Sequence, residues 1–226
     1  MGRGPSPEKT QATRARLLAA AEELLAEVGY SAFTMKELAE RAGCAVGLAY
    51  RYFPSREALV VGLYGELARR VYGRVDSLEA GSVGARFAAL VARKLAALDR
   101  RPRVFRALAH AALQPESPAG VFADETRAVR DAGVQAFTAV VAGATNAPAD
   151  PAALGRVLYG LHLLFVLGWT QLRQRRGAGD LAALAHDLAP IVDLASAASG
   201  STGHSPLESI ITHLDRVTRT MMETTP

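Results

Sequence analysis

Residues 34–56, TMKELAERAGCAVGLAYRYFPSR, specify two short helices and the tight turn between them. Thr34 stands where an N-cap is needed, and Glu37, three residues on, completes a capping-box pattern. Leu38 and Ala39 face inward, while Lys36, Glu37, Glu40 and Arg41 face water. Gly43 follows, at the left-handed position after a helix that favours glycine. A second helix is expected over Val46–Tyr52; Pro54 stops it, and Ser55 can cap the next. Helix, short glycine-containing turn, helix is the helix-turn-helix arrangement. The second helix is short, and small at Gly47 and Ala49, so it can lie in a DNA major groove.

The side chains suit phosphate contact better than base reading. Val46, Gly47 and Leu48 start the second helix, nearest the base edges, and offer no bidentate hydrogen bonds. Specificity would then lean on Lys36, Arg51, backbone positioning and DNA shape. Tyr50 and Tyr52 are expected to place a hydroxyl on a phosphate or a ring on a thymine methyl. Thr34 and Arg56 stand at helix N-termini, where a side chain and a backbone N–H can meet one phosphate. Phe53 has no polar handle and reads as core, and Cys44 reads as a small buried hydrophobe.

The ordered string Phe33-Thr34-x-x-x-Leu38-Ala39-x-x-Ala42-Gly43, Gly47-x-x-Tyr50-x-Tyr52-Phe53, Ser55-Arg56-x-x-Leu59 resembles the TetR family of bacterial transcriptional regulators. The resemblance covers about residues 12–62. It implies a three-helix DNA-binding head, a connecting fourth helix, an all-helical ligand-binding body and a homodimer. Two positions depart from the pattern. Ala45 stands where the family often caps the recognition helix with Ser or Thr, and Ala49 where a larger aliphatic is usual.

Charge follows the motif. The net charge is +4; residues 1–75 hold eleven Lys/Arg against eight Asp/Glu, so most of the excess lies with the motif, as a polyanion partner would favour. A single cysteine leaves no intramolecular disulfide and fits a reducing cytoplasm. No secretory signal is expected, because the N-terminus MGRGPSPEKTQATR lacks an apolar core. The densest apolar run, Val157–Trp169, falls short of the ~20 residues of a membrane span, so no membrane partner is expected.

Periodicity reads as helix throughout, so the fold class is all-α. After a Gly/Pro-rich arm, helices are expected over Thr10–Val28, the two motif helices, Pro54–Ser77, Ser82–Asp99, Arg103–Leu113, Pro118–Thr145, Ala149–Arg176, Asp180–Ala198 and Pro206–Glu223, with a linker at Ser196–Ser205. Two domains follow: residues 1–53, the DNA-binding head, and 54–226, the effector-binding and dimerisation body, of which 54–77 is the connecting helix.

In the body, Phe105, His110, Phe137, His162, Phe165 and Trp169 are expected to bound one elongated apolar pocket without a deep ionic residue. It would take a largely apolar small molecule with one or two polar groups. The helix of residues 149–176 is apolar around most of its circumference, so it needs cover on both sides. Leu161 and Leu164 on it, with Leu181, Leu184, Leu188 and Ile191 on the next, are expected to form a four-helix homodimer interface.

The five histidines show no i,i+3 or i,i+4 pair and the lone cysteine adds no cluster, so neither a metal nor a cofactor is expected. No GxGxxG, GxSxG, HExxH or Walker motif appears, and no catalytic residue is expected. The expected function is a ligand-responsive repressor on a palindromic double-stranded operator. Its competitors are a dimeric helical binding or scaffold protein without specific DNA binding and, further off, an all-helical enzyme.

Overall fold

The computed structural model describes residues 6–114, 116–172, 178–198 and 206–223. Among the described residues every regular element is helical: α1 (Pro7–Glu27), α2 (Met35–Arg41), α3 (Val46–Tyr52), α4 (Arg56–Tyr72), α5 (Val83–Asp99), α6 (Pro102–Ala112), α7 (Arg127–Ala142), α8 (Pro151–Leu172), α9 (Ala178–Asp187), α10 (Ala189–Ala198) and α11 (Pro206–Glu223), with 3₁₀ turns at Val75–Ser77 and Asp124–Thr126.

The helix ends follow from local chemistry. The Thr34 hydroxyl accepts from the Glu37 N–H at 3.2 Å, and Glu37 Oε2 accepts from the Thr34 N–H at 2.7 Å, closing the capping box. Ser82 Oγ caps α5 by accepting from the Ala85 N–H, and Ser55 Oγ accepts from the Ala58 N–H in the first turn of α4. After α2 the chain turns at Gly43 with φ of 63°, a conformation that strains any residue carrying a Cβ.

By packing, the chain divides into two compact units, Met1–Glu66 with Arg101–Thr126, and Leu67–Arg100 with Arg127–Pro226. The boundary expected at residue 53 separates the motif by sequence, whereas the first unit also takes in the start of α4 and the whole of α6. Its core joins Leu17, Leu18, Leu24 and Leu25 of α1, Phe33, Leu38 of α2, Ala49, Phe53, Leu59 and Leu63 to Val104 and Leu108 of α6. Tyr64 donates to the Leu108 carbonyl at 2.8 Å, and Arg101 forms an ion pair with Glu22.

In the second unit α8 packs between α7 and α11, while α9 and α10 lie on α5. The approach of α8 to α7 is close: a Cβ at Gly155 would stand 2.5–2.8 Å from Thr138 atoms. Asp193 of α10 accepts from Ser82 Oγ, the Gly84 N–H and Asn146 Nδ2 at 2.7–3.0 Å, tying α10 to the start of α5. Burial pushes this carboxyl upward, but those hydrogen bonds outweigh it and hold it below the ordinary carboxylate range.

Several expected boundaries move. The helix expected over 118–145 begins only at Arg127; the preceding residues form turns in which the Thr126 hydroxyl donates to the carbonyls of Gly120 and Ala123. The helix expected over 180–198 breaks at Leu188 into α9 and α10, and Ser196 belongs to α10 rather than to a linker. Residues 199–205 of that linker, and residues 173–176 of the helix expected over 149–176, lie outside the described residues. The apolar run 157–169, expected to be too short for a membrane span, lies in a 22-residue helix that passes by length and composition. Much of its apolar surface is core: Leu154, Leu158, Tyr159, Phe165 and Trp169 are buried.

Candidate DNA-binding and effector sites

In the first unit α3 is held from beneath by Ala49, which is fully buried, and Phe53. The small Ala49 side chain is what lets this helix lie close on its core. Outward it presents Val46, Gly47, Tyr50 and Arg51, with Ala45 exposed just before them. Ala45 caps with no side-chain hydrogen bond, so the first N–H groups of α3 keep donor capacity. Lys36 is exposed on α2 and only loosely paired, 3.9 Å from Glu40. Among the described residues Arg51 has no acidic partner. Arg41, by contrast, is engaged by Glu23 and Glu27 of α1.

Two expected DNA contacts are drawn inward. Arg56 Nη1 lies 3.2–3.4 Å from the carbonyls of Tyr30, Ser31 and Phe33, and the guanidinium covers the Tyr30 ring. It clamps the segment between α1 and α2, so its part as a phosphate ligand is replaced by a structural one. Tyr52 is half-buried against the core of this unit, as is Leu48 in exposure, leaving Tyr50 as the freer phenol at 49 % exposure. Thr34 spends its hydroxyl on the capping box.

The six expected pocket residues divide between the units. Phe105 and His110 belong to α6 in the first. His110 is exposed rather than a buried anchor, because α6 buries Val104, Leu108 and Ala111 instead. It lines an open cleft of about 610 Å³ with Tyr30, Ser31, Arg56, Glu57 and Gln114. Phe137, His162, Phe165 and Trp169 are buried in the second unit.

There the aromatics surround a polar cluster drawn from α4, α5 and α8. Phe87 of α5 lies 6.0 Å from Phe137 of α7 and 6.2 Å from Phe165 of α8; Phe137 lies 4.7 Å from the His162 ring. Lys94 Nζ of α5 donates to Tyr72 Oη of α4 at 2.8 Å and lies 3.3 Å from His162 Nε2, which is also 3.3 Å from Tyr72 Oη. His162 Nδ1 sits against the Tyr159 carbonyl. That contact assigns the proton to Nδ1 and leaves Nε2 an acceptor. The expectation of an interior without ionic groups is thus overturned by Lys94. Asp99 adds to it by accepting from Trp169 Nε1 at 2.9 Å.

Sequence reasoning missed Lys94 and Tyr72. One signal was available: Lys94 is one of three lysines in a chain rich in arginine, set in the apolar stretch Leu90–Leu98. Lysine, unlike arginine, changes its charge readily when desolvated.

Burial brings the Lys94 ammonium down to about 8. Burial, with Lys94 beside it, holds the His162 imidazole well below its ordinary 6.5. Both shifts favour the neutral form, and the signs of the linkage follow. Below pH ~6.5 the unfolded chain protonates His162 while the folded chain does not, so stability falls with acid. Between about 8 and 10.5 the unfolded chain keeps a Lys94 proton that the folded chain has lost, so stability rises with pH. Urea unfolding is expected to show Lys94→Met more stable than the wild type by about 2–3 kcal/mol at pH 7, the gap closing toward pH ~10. A gap that does not change with pH would mean that the ammonium is hydrated.

The apolar face expected to join two chains is mostly outward. Leu164 and Ile191 are each 62 % exposed, Leu184 is 45 % exposed, and Leu161 and Leu188 are half-buried. Leu181 is the exception: it is buried inside its own unit near Gly168 of α8 and cannot serve an interface.

Residues 17–63 match the family model described as bacterial regulatory proteins, tetR family. The chain is similar to the HTH-type transcriptional repressor KstR of Mycolicibacterium smegmatis, 28% identical over 176 residues, which span 77% of this chain and 83% of that protein. It is also similar to KstR of Mycobacterium tuberculosis, 29% identical over 77% of each chain. These relatives are transcriptional regulators, not enzymes. Among solved structures, a TetR transcriptional regulator from Rhodococcus shares the fold at a TM-score of 0.60 and 23% identity, over 82% of this chain and 97% of its own. The transcriptional regulator FadR from Bacillus subtilis, in complex with stearoyl-CoA, does so at 0.59 and 17%, over 79% and 97%. The capped helix-turn-helix, the family match over it and the similarity that runs on into the helical body agree: residues 17–63 carry the DNA-binding domain of the bacterial tetR regulatory family, in a chain similar to HTH-type transcriptional repressors over 77% of its length.

Proposed function

We propose that the protein is a one-component repressor that binds an inverted-repeat operator as a homodimer and is released by a small, largely apolar effector held in the second unit. The exposed outer face of α3 carries this reading. Val46, Gly47, Tyr50 and Arg51 project from a helix whose inner face is committed to the core, with Lys36 exposed on the preceding helix. The buried aromatic cluster around His162 supports the effector half. So does the bound stearoyl-CoA of the FadR structure, a long apolar chain on an anionic carrier.

The effector acts by binding better to a body shape that does not match adjacent major grooves than to the DNA-bound one. Helix α4 is the covalent route between the two, since its residues up to Glu66 pack in the first unit and those from Leu67 in the second.

The test is binding to operator fragments as salt is raised. Half-site centres are expected about one helical turn (~34–36 Å) or a small multiple apart. Affinity should fall steeply with salt as phosphate contacts release counterions. Arg51→Ala should weaken binding about tenfold and flatten the log–log salt slope by about one for each phosphate that the guanidinium no longer neutralises. Binding that ignores salt, or that shows no preference for an inverted repeat over random DNA, would favour a helical binding protein without operator specificity.

A further inference from the structure

Lys94 is a cation that the packing of the second unit leaves unexplained. Other cations there have plain structural work. Arg86 donates to the carbonyls of Val140, Leu78 and Glu79, and Arg156 pairs with Asp215, which also takes Arg219. Lys94 meets no carboxylate and no carbonyl among the described residues. Among the described residues its partners are Tyr72 Oη, His162 Nε2 and the face of the Tyr72 ring at 5.0 Å.

The cluster is also short of acceptors. An ammonium brings three N–H groups and Tyr72 an O–H, while Nε2 of a neutral imidazole accepts one hydrogen bond and the phenol oxygen takes another. His162 cannot supply more, because its other nitrogen is turned to the Tyr159 carbonyl. Tyr72 and Lys94 are half-buried, whereas His162 beneath them is 2 % exposed. Behind them stand Phe137, Phe87 and Phe165. The site is thus a cation with spare donors at the edge of an aromatic wall.

We propose that Lys94 and Tyr72, positioned over His162, form an anion subsite that takes the oxyanion group, carboxylate or phosphate, of an effector whose apolar body lies along Phe87, Phe137 and Phe165. The proposal rests on the reading that the second unit holds the effector. An oxyanion supplies the missing acceptors and a countercharge, and charge-assisted hydrogen bonds from an ammonium and a phenol are the stronger kind. The effector is therefore an apolar acid rather than a neutral hydrocarbon derivative.

The experiment uses the full-length protein and its single tryptophan, Trp169, which lies on α8 with His162. Decanoate, decyl phosphate and decanol are titrated while Trp169 emission and release of operator DNA are followed together. One or both anions are expected to bind at least about tenfold more tightly than decanol, and Lys94→Met to shrink that preference to about threefold or less. Which anion binds better tells carboxylate from phosphate. If Lys94→Met fails to fold, Tyr72→Phe keeps the ring, removes one donor and should narrow the preference several-fold. Equal binding of decanol and both anions, or a preference that survives Lys94→Met, overturns the subsite; operator release by all three would leave the effector reading standing. Silence from all three also overturns the subsite. Operator release by a small-molecule extract of cells then decides whether the effector reading survives it.

Discussion

Aspartate at Ile191 is expected to give monomers and to remove specific operator binding. Among the described residues Ile191 is one of the most exposed large apolar side chains, and Leu164, Leu167, Leu184 and Leu194 on α8–α10 are exposed as well. Single exposed leucines need no explanation, but a run of them on neighbouring helices is the mark of a surface that another molecule covers. A second copy of the chain covers it in the reading proposed above, with an obligate interface of roughly 2,000 Å² or more. A carboxylate buried there without a partner costs several kcal/mol, enough to separate the subunits at micromolar concentration. Half-site binding by one head then loses the second head's contribution. Sedimentation and gel shift check both halves of the prediction. A wild-type protein that sediments as a stable monomer at micromolar concentration, yet binds its inverted repeat with full affinity, would remove the dimer from the mechanism.

Arg56→Ala is expected to destabilise the first unit by about 1–3 kcal/mol while the salt dependence of operator binding stays unchanged. The guanidinium holds three carbonyls of one short segment, those of Tyr30, Ser31 and Phe33, and lies over the Tyr30 ring. Tyr30 in turn donates to Glu57 at 2.8 Å, and burial, with that carboxylate, pushes its hydroxyl up to about 12, so it remains a donor at any physiological pH. Truncation leaves the carbonyls without their cation and loosens the turn that delivers Phe33 and Thr34 to α2. Chemical unfolding reads the loss, and a salt titration of operator binding separates the two roles. A flattened salt slope with unchanged stability would return Arg56 to the phosphate backbone.

The extent to which this protein was legible in its sequence depends on the reach of each interaction. The capping box of Thr34 and Glu37 spans three residues, and the positive φ at Gly43 is a property of one. Such rules act within a turn or two of chain, so the two motif helices, their turn and the all-α class could be read directly. Helical periodicity likewise marked α1, α4 and α11 as helices. It did not mark the break at Leu188 or the turns before Arg127, because alanine-rich sequence stays compatible with helix where packing has ended it.

What a charged or aromatic side chain does once folded lay beyond that reach. Sequence placed Arg56 at a helix start, where a cation next to DNA and a cation on three carbonyls look the same. It grouped Phe105 and His110 with Phe137 and Trp169 by their apolar surroundings, whereas α6 packs with α1 in the first unit. Leu181 and Leu184 share a helix and a residue type, and only packing on α8 and α5 decided that one is core and the other surface. The Lys94 cluster is the furthest case. Its members are separated by 22, 68 and 90 residues and come together because α4, α5 and α8 converge there. Sequence therefore determined the helices and the motif, which rest on local backbone chemistry. Tertiary structure decided which side chains meet, because non-local pairing is set by how helices pack and not by the periodicity that forms them.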